Sequence, residues 1–259
     1  MAKAWAKFPY ADRKYQYTAT SLKKTWDRLH KGDAEPFPKS EAIVDAWLAF
    51  HAGEFQKACE LGLKAGAEGT SVANKAQAIY ANYLEENEKR KLELLQEVAG
   101  RAEALQPKEP KNANAFYWQA YALGRYSQGI SVAKALAQGI GGKVKAALET
   151  TVKLAPKHAD AHIALGSYHA EVIDKVGAMI GGLTYGAKKD IALKNFQAAL
   201  KLAPDSAIAR IEYANGLVML EGKKALKQAE QLYTDAAACE PLDAMERLDV
   251  ELAKAELED

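Results

Sequence analysis

The chain has 259 residues, 49% of them hydrophobic and 27% charged, a balance that excludes an intrinsically disordered protein. Its formal charge is +1 and its longest basic cluster is Lys89-Arg90-Lys91, so a nucleic-acid partner is disfavoured for want of a clustered basic face. The longest apolar runs fall short of about 18 residues, so no membrane span is expected.

The first residues, from Met1 to Tyr10, do not read as a secretory signal. Cys59 and Cys239 each stand among alanines in helical patterns and are expected to be free thiols in a reducing, cytoplasmic setting. Apolar residues recur at helical spacing from the start, as in Tyr15, Ala19, Leu22, Trp26 and Leu29. Pro36-Phe37-Pro38 then interrupts the pattern, and residues 1–38 read as an N-terminal capping segment.

From residue 39 to 241 the chain repeats itself. Four helices finish on prolines, Pro107, Pro156, Pro204 and Pro241, spaced 49, 48 and 37 residues apart. Ahead of Pro204 stand Ala192, Phe196 and Ala199, and ahead of Pro241 stand Ala229, Tyr233 and Ala236 at the same spacing. Leu123-Gly124-x-Tyr126 and Leu165-Gly166-x-Tyr168 mark the first helix of two units, and Ala52-Gly53-Glu54-Phe55 opens the second helix of an earlier one. Small residues let two antiparallel helices approach, an aromatic fills the gap, and proline ends the pair.

These spacings resemble the tetratricopeptide repeat (TPR). The resemblance implies an all-α fold, a right-handed α-solenoid of about five helix hairpins, and a role in binding protein partners. Residues 242–259 match no repeat and are expected to form a C-terminal capping helix. A TPR unit has about 34 residues, so the third and fourth units are elongated. Each insertion holds an Ile-Gly-Gly, at 140–142 and 180–182, after text with helical apolar spacing such as Ile130, Ala133 and Leu136. A lengthened first helix followed by a glycine-rich loop is expected in both.

Candidate chemistry is sparse. Motifs for nucleophilic catalysis, dinucleotide binding and zinc are missing, so the expectation is a non-enzymatic protein with no cofactor. His158, His162 and His169 share one helical stripe, but only the first two are close enough to share a metal, and structural roles are favoured over a metal site. Gly139, Gly141, Gly142 and Lys143, with Lys188, could present backbone amides and charge to an anion, or could simply end and start helices.

Phe116-Tyr117-Trp118, followed by Tyr121 and Tyr126, is the densest aromatic cluster, too broad for a single buried stripe. By the register that the resemblance implies, Trp118, Tyr121, Arg125 and Gln128 face the concave groove from the third unit. Asp160, Ile163 and Ser167 follow from the fourth, and Ile208, Ile211 and Asn215 from the next. The Lys and Asn clamp by which some relatives grip acidic peptide ends is not reproduced at these positions. Binding of chaperone tails is therefore not implied, and the expected partner is a protein or peptide held in the groove. The alternative is a small ligand or solute bound at the glycine-rich loops, as in transporter-associated repeat proteins.

Overall fold

A computed structural model describes residues 4–258, with residues 132, 133 and 136 described by their backbone alone. The side chains of Ala133 and Leu136, expected on a lengthened helix, lie outside the described residues, as do the ends of the two segments expected to cap the repeats. The fold is all-α, built of TPR-like helix hairpins, and no strand occurs among the described residues. The chain divides into two compact units: residues 1–30, 35–154 and 242–245, and residues 31–34, 155–241 and 246–259.

The first unit begins with α1 (Ala19–Leu29), opened by Thr18 and Ser21, whose hydroxyls cap each other's backbone amides. Three hairpins follow: α2 (Glu41–His51) with α3 (Phe55–Lys64), α4 (Thr70–Tyr83) with α5 (Glu88–Leu105), and α6 (Ala113–Gln128) with α8 (Ile140–Leu154). Asn87 and Asn112 cap α5 and α6 through their side chains. The short α7 (Val132–Ala137) lies in the third hairpin's connection.

Trp47, Phe50, Leu94, Leu95, Val98 and Leu148 are buried in this unit. In α4 every residue from Ser71 to Ala81 is buried, including Asn74, Lys75 and Gln77. Arg101 of α5 satisfies two of these groups, donating to Asn74 Oδ1 at 2.9 Å and Gln77 Oε1 at 2.8 Å. The N-terminal residues pack on the same unit. Trp5 stacks on Tyr80 at 4.3 Å, and Phe8 lies against Gly53, whose φ of +83° favours glycine.

The second unit holds α9 (Ala159–Tyr185) with α10 (Lys189–Leu202), and α11 (Ala207–Glu221) with α12 (Leu226–Ala237). Its first helices are capped by side chains of His158 and Ser206. Phe196 fills the gap between Gly166 and Gly216, stacking on Tyr213 at 5.3 Å. Ala192 and Ala199, a turn either side of Phe196, are buried with it, and Ala236 is buried in the next pair. The final helix, α13 (Ala244–Glu258), lays Val250 and Ala253 on Ala207 and Ile211 of α11.

The glycine pairs of the two insertions are helical. Gly141 and Gly142 lie in the first turn of α8, and Gly181 and Gly182 lie within α9. Other glycines make the reversals: Gly139 at φ +62°, Gly177 at +80° and Gly186 at +63°. Gly177 divides α9, and Met179, Ile180 and Leu183 are exposed on the segment beyond it.

Candidate functional site

Helix α6 carries the densest set of expected binding residues. Asn114, Trp118, Tyr121 and Arg125 stand four, three and four positions apart, which at about 100° per residue places them on one stripe. The stripe changes character along its length. Asn114 is buried, and Trp118 is buried at 2% exposure; Tyr121 and Arg125 are half-buried, and Gln128 is exposed. Trp118 meets Tyr117 edge-on at 4.9 Å and Tyr121 at 5.4 Å. The Arg125 guanidinium lies 5.5 Å from the Tyr121 ring centroid and donates to Gln128 Oε1 at 3.3 Å. A buried indole thus supports an ordered outer layer of ring, guanidinium and amide.

At its N-terminal end the stripe meets the segment before α2. The Nδ2 of Asn114 donates to Glu35 Oε2, and Ser71 Oγ of α4 donates to the same oxygen at 2.6 Å. Trp26 Nε1 donates to the Glu35 backbone carbonyl at 2.7 Å. Lys75, one turn beyond Ser71, is buried over the rings of Trp47 at 5.7 Å and Phe50 at 5.2 Å. This cradle holds a carboxylate with donors from two helices. Sequence spacing did not reveal it, because Glu35 and Asn114 are 79 residues apart. The available signals were a lone Glu ahead of Pro-Phe-Pro and the one-turn spacing of Ser71 and Lys75.

Nearby, His51 forms the centre of a buried polar chain. Its Nδ1 is 2.7 Å from Asp243 Oδ2, and its Nε2 is 3.3 Å from His30 Nε2. Trp26 stacks on His30 at 3.8 Å, and Tyr17 donates to the Leu242 carbonyl at 2.8 Å. This chain ties the segment around α1, α2 and residues 242–245 together within the first unit.

The remaining expected groove residues lie in the second unit. Asp160, in the first turn of α9, donates its amide to the Gly32 carbonyl at 3.0 Å and packs its carboxylate against Gly32. Asn215 accepts from the Tyr233 hydroxyl and so joins α11 to α12. Burial, followed by Glu256 and Glu212, pushes the Tyr233 hydroxyl up to about 12.

The anion-loop candidates fall in both units. Gly139, Gly141, Gly142 and Lys143 are in the first, where Lys143 is exposed and its amide donates to the Gly139 carbonyl at 3.3 Å. Lys188 is in the second, at the N-cap of α10, where its amide donates to His169 Nδ1 at 3.3 Å. The three histidines are engaged separately. His158 caps α9, and His162 lies 2.8 Å from Asn195 Oδ1. No group of three metal-ligating side chains occurs among the described residues.

A comparison with protein families matches residues 50–257 to the family described as RMD1-3, regulator of microtubule dynamics protein 1-3. The chain belongs to this family. The match runs from the end of α2 through the later hairpins and most of α13, so it includes Ser71, Asn114 and the whole α6 stripe, whereas Glu35 and most of α2 precede it. No curated protein matches the chain significantly. Among solved structures, the chain resembles TTC0263, a thermophilic TPR protein in Thermus thermophilus. The two share 17% identity with a TM-score of 0.57, over 83% of this chain and 98% of that one. That similarity fixes the TPR-like fold. No helix among the described residues is long and apolar enough to cross a membrane.

Proposed function

We propose that the chain is a non-enzymatic scaffold that docks a protein partner on the first-helix face of its repeats. Tyr121, Arg125 and Gln128 form the contact layer. The observation that carries this reading is the ordered stack of Trp118, Tyr121 and Arg125 on one stripe of α6. Aromatic rings and arginines held in place before binding lose little freedom on contact, and such residues dominate interface energetics. The TPR-like fold supports a scaffold, and the family's description as regulators of microtubule dynamics supports a partner from the microtubule system. The near-neutral charge supports a protein over a nucleic acid.

The test is capture by the immobilised chain from a cell extract, repeated with Y121A/R125A. The wild type should retain a discrete set of proteins enriched in microtubule-associated components, and the variant should lose it. Hot-spot truncations cost about 2 kcal/mol or more in binding, whereas substitutions of accessible residues shift stability by about 0.5 kcal/mol. An unchanged partner set with an unchanged Tm would move the interface elsewhere.

A further inference from the structure

Residues 34–38 have no regular secondary structure, yet Glu35 is held as a bound ligand would be. Its carboxylate takes donors from Ser71 and Asn114, on two different helices, and its carbonyl takes the Trp26 indole. Pro36 and Pro38 have no N–H to satisfy, so the segment can lie extended on a helical surface without leaving donors stranded. Phe37 adds an edge-on contact to Trp26 at 5.0 Å, with Lys23 5.5 Å from its ring centroid.

The backbone just before this segment is strained. Ala34 has a φ of +48° and is the single non-glycine residue with positive φ among those described. A side chain with a Cβ adopts that conformation only when its surroundings impose it. The grip on Glu35 begins at the very next residue. Beyond the cradle the same α6 stripe continues through Trp118 to Tyr121 and Arg125, so a segment seated at Asn114 has a path along the helix.

We propose that the cradle of Ser71 and Asn114 is a binding site for an acidic, proline-bracketed peptide segment, with Glu35-Pro36-Phe37-Pro38 as its internal occupant. A partner carrying Glu-Pro-aromatic-Pro chemistry replaces that occupant and continues onto Tyr121 and Arg125. This inference rests on the reading that the first-helix face docks protein partners, and it specifies the chemistry of the docked segment. Glutamate is selected because two amide or hydroxyl donors converge on one oxygen, a geometry a neutral side chain fills less well.

The probe is a fluorescently labelled peptide of sequence Ala-Glu-Pro-Phe-Pro-Lys, followed by anisotropy against the full chain. E35A/F37A, which takes the carboxylate out of the cradle and the ring off Trp26, should bind it at least ten-fold more tightly than the wild type. The peptide with Ala in place of Glu should bind at least ten-fold more weakly to that variant. Adding S71A to E35A/F37A should remove most of the gain. A folded E35A/F37A chain that treats the Glu and Ala peptides alike overturns the proposal.

A34G supplies a second measurement that leaves every cradle contact in place. Glycine accepts the positive φ, so the internal occupant should hold more firmly and the peptide should bind the A34G chain several-fold more weakly than the wild type. Equal binding by the two overturns the proposal even if E35A/F37A does not fold. Y121A/R125A keeps this test separate from the scaffold reading. Peptide binding lost in every form, with partner capture intact, overturns this inference alone, whereas capture lost with peptide binding retained supports it.

Discussion

Phe196 occupies the space beside Gly216 that a methyl group would need, since an added Cβ would lie 2.6 Å from the ring's Cζ. Gly166 faces the same ring from the other side, with an added Cβ 2.7 Å from Cδ1. Gly124, at the matching place in the third hairpin, has nothing within 4 Å. The two kinds of glycine should respond oppositely to a methyl group. G216A should overpack the ring and lower stability by about 1–3 kcal/mol. G124A should raise it by up to about 1 kcal/mol, because alanine favours a helix interior. Urea midpoints of the two variants check both signs.

Ala199 and Ala236 are fully buried where neighbouring helices meet. Replacing either with Leu should cost roughly 1–3 kcal/mol, since neither contact leaves room for a branched side chain. The substitutions lie in different helix pairs, α10 and α12, so their costs should add to within about 0.5 kcal/mol. A double variant measured by urea denaturation tests that additivity.

Much of this was legible in the sequence because repeats state the same packing rule several times. Ala192, Phe196 and Ala199 announced a small-aromatic-small contact, and the structure buries all three. The glycine pairs were harder. Glycine tolerates a helix interior and a left-handed turn alike, so spacing could not decide that Gly177 reverses the chain while Gly181 stays helical. Tertiary fit decides it, with Gly181 closing on Val172 at 3.3 Å from an added Cβ.

The site was legible only in part. The helical stripe of Trp118, Tyr121 and Arg125 follows from spacing alone, but burial of Trp118 depends on the helices packed around it. Asn215 gave no sign that it would pair with Tyr233, because that contact joins two helices of one hairpin. The Glu35 cradle depends on pairing across 79 residues, which no local pattern encodes.

Alkaline pH should expose another consequence of burial. Desolvation pushes the Cys59 thiol up from 9.0 to about 11, against the lowering influence of Arg101. The folded chain therefore holds this proton more tightly than the unfolded chain. The associated stability is complete below pH 9.0 and is lost as pH rises through about 11, an effect of roughly 2–3 kcal/mol. Urea midpoints should fall across that window, and C59A should flatten the fall.

Helix α4 stands apart from the other helices in having no solvent face between Ser71 and Ala81. It packs against α2, α3, α5 and α6, so its amides become accessible only when those neighbours separate. Local fraying, which sets deuterium uptake in most helices, has no route to this one. Peptides covering 75–81 should thus exchange last in the first unit, at a rate that reports its global unfolding. The wrapped helix serves as a built-in gauge: any ligand that stabilises the first unit should slow exchange there by the factor it adds to the folding equilibrium.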